Sequence, residues 1–110
     1  MRLRRSPGES PASSTLLEDL SAFDLARATR VPVETALAWA DGELPAGATG
    51  DRLRALGNVV DALQSVGLAR PHDRAEWLRR PNRAFERQAP IDVVALGESR
   101  RILDYVETLS

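Results

Sequence analysis

Four prolines, Pro32, Pro71, Pro81 and Pro90, each stand just ahead of a short segment with apolar residues, where they suit the first turn of a helix and not its interior. Glycines 42, 67 and 97 fall where those segments run out, as helix-closing residues do. Between these marks no stretch shows the sustained two-residue alternation that a half-buried strand requires. A chain divided in this way folds as short helices joined by tight turns. At 110 residues it is one small domain, or two subdomains sharing a core. Apolar residues make up 43 % of it and aromatics 5 %, so the core is built from Leu, Val and much Ala, and the expected class is all-α.

Residues 1–14 are rich in Arg, Pro, Ser and Gly with one long apolar side chain, Leu3, and read as a disordered basic arm. Thr15 with Glu18, and Ser21 with Asp24, have capping-box spacing. The first begins a short helix to Leu20. The second begins one carrying Phe23, Leu25, Ala26 and Ala28, which breaks at Thr29 to Val31 ahead of Pro32. Val33, Ala36, Leu37 and Trp39 belong to the next, closed at Asp41-Gly42, and a loop follows from Glu43 to Gly50. Leu53, Leu56, Val59, Val60, Leu63 and Val66 recur at three- and four-residue steps, predicting a long helix from about Asp51 to Gly67. Beyond it come helices over about Asp73 to Leu78, Asn82 to Arg87 and Ile91 to Leu96, and a last one from Ser99 to about Leu109. The natural partition is an arm at 1–14, a first helical half at 15–67 and a second at 68–110.

Charge sharpens that division. The formal net charge is −1, with 15 basic and 16 acidic residues, and every basic residue is arginine. By segment the arm is at +2, the first half at −4 and the second half at +1. A surface that displaces counterions from phosphate ordinarily has the sign opposite to the first half's. Catalysis is not expected. No cysteine is present, no lysine completes a phosphate loop, and one histidine, His72, makes no metal site by itself. No cofactor is expected. No apolar stretch reaches the length of a membrane span, which suggests a cytoplasmic protein without a membrane partner.

Two stretches carry a resemblance. DLARATRVPVETALAWADG resembles the Xre-type helix-turn-helix, with Leu25-Ala26 as its packing pair, Val31 in the turn, Thr35 and Trp39 on the second helix and Gly42 at the close. Arg30 stands where that family usually has glycine, and Pro32 where it usually has serine. Its groove-facing positions would be Pro32, Val33, Glu34, Leu37 and Ala38, which lack the bidentate donors and amides that read bases. Phosphate contact would fall to Arg2, Arg4, Arg5, Arg27 and Arg30.

From Ala75 on, Trp77-Leu78, Pro81-Asn82, Pro90 with Val93 and Leu96, Gly97, and Ile102, Leu103 and Val106 resemble the toxin-binding domain of the Xre/MbcA/ParS antitoxin family. The resemblance implies an Xre-like helix-turn-helix half followed by a small helical toxin-binding half. It implies an antitoxin that sterically blocks a RES-domain toxin, an enzyme class that consumes NAD, and a first half that assembles the complex and represses the operon at promoter DNA. A homo-oligomer or a toxin–antitoxin hetero-oligomer would result. Large residues and prolines of the second half have packing and corner duties, so partner contact is expected from exposed groups around them. Arg79, Arg80 and Arg83 flank Pro81 and Asn82, and Arg100 and Arg101 open the last helix, which with Tyr105, Leu109 and Ser110 would do the covering. Two alternatives stay open: a stand-alone DNA-binding transcriptional regulator, and an adaptor that dimerises through the long helix.

Overall fold

The computed structural model describes residues 20–39 and 45–109. The arm, the helix expected up to Leu20, the stop at Asp41-Gly42 and Ser110 lie outside them, apart from Leu20 itself, which is buried. The described residues form six α-helices and no strand: α1 (Ala22–Thr29), α2 (Val33–Ala38), α3 (Gly47–Ser65), α4 (Pro71–Arg79), α5 (Pro90–Ala95) and α6 (Ser99–Glu107). The all-α expectation holds.

The helix ends follow from identifiable residues. Ser21 and Asp24 form the capping box that starts α1, each side chain taking the other's backbone N–H. Arg30 ends that helix in the left-handed region at φ 61°, donating its N–H to the Ala26 carbonyl, in the place that glycine would fill without strain. Pro71 and Pro90 occupy the first turns of α4 and α5, where a missing N–H removes no helical hydrogen bond. The α5 carboxy-terminus is satisfied from a distance, since Arg52 Nε donates to the Ala95 carbonyl at 2.9 Å.

Several boundaries differ from expectation. The loop expected to last until Gly50 turns into helix at Gly47, because Gly50 lets the new helix lie against the preceding chain. A Cβ there would stand 2.7 Å from the Pro45 carbonyl oxygen. The helix expected over Asn82 to Arg87 is a three-residue 3₁₀ turn, Arg83–Phe85, after which Glu86 and Arg87 are both left-handed at φ 54° and 69°. α2 ends at Ala38 with Trp39 as its cap, and α6 ends at Glu107.

α3 is the central helix. Its buried stripe of Leu53, Leu56, Val59, Val60 and Leu63 meets α1, α5, α6 and α4, while α1 also packs on α2 and most extensively on α5. Leu25 and Ala28 of α1 therefore share one apolar cluster with Ile91, Val93 and Val94 of α5 and Ile102 and Val106 of α6. Each buried Leu, Ile or Val in such a cluster contributes about 1.5–3 kcal/mol. Residues from both sides of the 67/68 boundary thus rest on one core.

Candidate functional site

The segment joining α4 to α5 holds four of the expected contact residues, Arg80, Pro81, Asn82 and Arg83, and its shape follows from its sequence. Arg80 caps α4 in an extended conformation (ψ 133°), as a residue preceding proline must. Asn82 then organises the turn. Its side chain accepts from the Ala84 N–H at 2.9 Å, and its carbonyl accepts from the N–H groups of Phe85 and Arg87, both at 2.9 Å. Its own N–H donates to the Gln88 carbonyl at 3.1 Å, closing the loop as an isolated antiparallel bridge.

Phe85 roots this loop in the core at 1 % exposure. It meets Trp77 of α4 and Tyr105 of α6 edge-on, with ring centroids 6.4 and 5.5 Å away. The Arg101 guanidinium lies 5.9 Å from the Phe85 centroid and donates to Glu98 and Glu86 at 2.8 and 2.6 Å. The result is a small hydrogen-bonded loop presenting Arg80, Pro81, Arg83 and Arg87 to solvent. Beside it lies a groove of about 190 Å³ lined by Leu68, Trp77 and Pro81 and bordered by Glu76 and Arg80.

The expected contact residues divide into two groups. Arg80, 3.6 Å from Glu76, and Arg100, 3.2 Å from Asp104, are exposed side chains in loose helical pairs. Arg83 forms no ion pair among the described residues, and Leu109 is half exposed. Arg79, Arg101 and Tyr105 instead make internal contacts. Arg79 donates from Nε and Nη2 to Asp24 at 2.9 and 2.6 Å, a bidentate pair joining the end of α4 to the first turn of α1. Burial pushes the Asp24 carboxyl up, but hydrogen bonds from Arg79 and Ser21 outweigh it and hold the group below its ordinary range.

Of the expected phosphate contacts, Arg27 donates from Nε and Nη2 to Asp92 of α5 at 2.7 and 2.6 Å, while Arg30 is exposed and forms no ion pair among the described residues. Arg2, Arg4 and Arg5 lie outside the described residues. α2, only six residues long, exposes Pro32, Glu34 and Leu37 and is capped by no side chain.

His72 is exposed and 3.5 Å from Glu76 on the same helix, and no three metal-ligating residues converge among the described residues. No helix of the described residues is long and apolar enough to cross a membrane.

Three residues acquire importance that sequence reasoning missed. Asp24 and Asp92 each accept an ion pair from a distant segment, and nothing local announces partners 55 and 65 residues away. Phe23, named among the apolar residues its helix carries, is 73 % exposed. Its four-residue offset from Arg27 puts it on the solvent side, which the helical period alone could have revealed.

Comparison with known proteins agrees with this architecture. Residues 62–110 match the family described as the antitoxin Xre/MbcA/ParS C-terminal toxin-binding domain. The mycobacterial cidal antitoxins MbcA of Mycobacterium bovis and of Mycobacterium tuberculosis are each 35 % identical over 74 residues, 66 % of this chain. The match spans 63 % of those relatives' length. The fold is similar to that of a chain in the crystal structure of the M. tuberculosis MbcT-MbcA toxin-antitoxin complex, with TM-score 0.78 and 25 % identity over 96 % of this chain and 95 % of that one.

Proposed function

We propose that this chain, whose residues 62–110 match the Xre/MbcA/ParS antitoxin family, is the antitoxin of a toxin–antitoxin pair. The observation that carries this reading is the family match over the segment that builds the Arg80–Gln88 loop, on a fold shared across nearly the whole chain with a member of a toxin–antitoxin complex. The toxin is a RES-domain enzyme that consumes NAD, and inhibition is steric, needing a complementary surface and no cofactor.

Arg80, Pro81, Asn82 and Arg83 form the centre of the contact, with Arg100 and Leu109 at its edge. A hydrogen-bonded loop suits this task, because ordering entropy is met on folding and not again on binding. The α1–α2 half assembles the complex, for which exposed Phe23 and Leu37 supply apolar contacts between copies. Operon repression is the secondary role, and exposed Arg30 favours it as a phosphate contact.

Co-expression with the protein encoded by the neighbouring reading frame tests the proposal. Growth is restored, and NAD consumption by the purified neighbour stops when this chain is added in equal amount. Continued consumption in the presence of a folded, saturating chain refutes the antitoxin role. Charge reversal of Arg80 with Arg83 abolishes co-purification, and an intact complex refutes the proposed contact.

A further inference from the structure

The Arg80–Gln88 loop has two roots, and both are tied to the same helix. Its first root is Arg79, the last residue of α4, which grips Asp24 of α1 through two hydrogen bonds. Its second root is the first turn of α5, where Asp92 receives two hydrogen bonds from Arg27 of α1. The polarity is reversed between the two: α1 gives an acid to α4 and an arginine to α5. Asp24 and Arg27 are three residues apart and so neighbours on one helix surface. Asp24 is further held by the N–H and hydroxyl of Ser21 at 3.0 and 3.1 Å, which makes the capping box that starts α1 part of the same network.

We propose that α1 is a two-pronged clamp on the partner-binding loop, with Asp24–Arg79 and Arg27–Asp92 holding its two roots at the spacing that the toxin recognises. The inference rests on the antitoxin reading. It assigns Arg79 and Arg27 positioning roles in place of direct contact with toxin and DNA, and it makes helix α1, outside residues 62–110, part of the binding device. Asp24 is 7 % exposed and beneath Arg79, so it reaches no partner itself. Whatever it does to binding, it does through Arg79 and the start of α1, not by contact with the partner.

The test combines affinity for the protein encoded by the neighbouring frame with amide hydrogen exchange of the free chain at Asn82, Arg87 and Gln88. Asp24→Asn and Arg79→Met each weaken binding roughly tenfold, and together no more than either does, because contacting residues in one network are not additive. Both speed exchange at the three loop amides. The other pair provides a second cycle: Arg27→Asp weakens binding, and Arg27→Asp with Asp92→Arg restores it. Should Asp24→Asn fail to fold, this second cycle decides. Loss of affinity in Arg79→Met with none in Asp24→Asn overturns the clamp in favour of direct contact. Unchanged loop exchange in both Asp24→Asn and Arg27→Asp overturns it irrespective of toxin. Absence of binding by the unaltered chain refutes the antitoxin reading instead, and the exchange measurement distinguishes the two failures.

Discussion

Replacing Phe85 by alanine tests whether the Arg80–Gln88 loop is truly part of the core. The side chain is 1 % exposed and is the largest of the fully buried ones, so its removal forfeits the transfer energy of a ring and leaves a cavity bounded by Trp77 and Tyr105. Phe→Ala at such a site costs about 3–5 kcal/mol. Domains of this kind have roughly 5–15 kcal/mol in total, so one substitution removes a large part of the stability. Phe85→Leu separates the contributions. It keeps most of the buried volume but loses two edge-on aromatic contacts and the face beneath Arg101, terms of about 0.5–1.5 kcal/mol each for aromatic pairs, for an expected cost near 2 kcal/mol. Urea unfolding followed by circular dichroism measures both, with the slope checked for a common unfolded state. An alanine variant within about 1 kcal/mol of the unaltered chain would show that the loop is not anchored as described. Equal costs for the leucine and alanine variants would refute the assignment of a packing contribution distinct from the aromatic one.

Further outcomes follow from the backbone and the ion pairs. Because the native Asp24 carboxyl is depressed below its ordinary value of 3.8, its stabilisation is present above that value and is lost as pH falls through the lowered one. The urea-midpoint gap between the unaltered chain and Asp24→Asn should therefore shrink between neutral pH and about pH 2, and a constant gap contradicts this. Arg30→Gly relieves a left-handed conformation worth about 1–2 kcal/mol against an unfolded-state entropy cost of about 0.5–1, so the thermal midpoint rises, whereas a fall disproves the strain. Gly50→Ala places a Cβ against the Pro45 carbonyl and destabilises by about 1–3 kcal/mol in urea despite alanine's better helix propensity. An equal or higher midpoint would show that the α3 amino-terminus can shift.

Most of the helical layout was legible because its signals are local. Ser21 with Asp24 announces a capping box, Pro71 and Pro90 announce first turns, and the stripe from Leu53 to Leu63 faces the core as its spacing requires. The loop was less legible. Pro81-Asn82 suggests a helix start, but the turn ends in two left-handed residues, Glu86 and Arg87, where neither side chain signals such a backbone as glycine would. The same holds for Arg30. Its arginines were visible as a cluster, yet their division into those facing solvent and those gripping Asp24 or Glu86 depends on tertiary neighbours. Gly50 misled in the other direction, since a glycine that looks like a loop residue permits a close helix start.

The shared core has a consequence for how the molecule responds to ligands. Because α1 and α5 bury their apolar sides in one another and two ion pairs cross between the halves, unfolding of the first half exposes Ile91, Val93 and Val94 of the second. The boundary between the two halves is therefore not a boundary of cooperativity. Any molecule that binds the native α1–α2 side adds RT ln(1 + [L]/Kd) to the stability of the loop on the other half, without touching it. Occupancy at one end is thereby registered as protection against unfolding and proteolysis at the other.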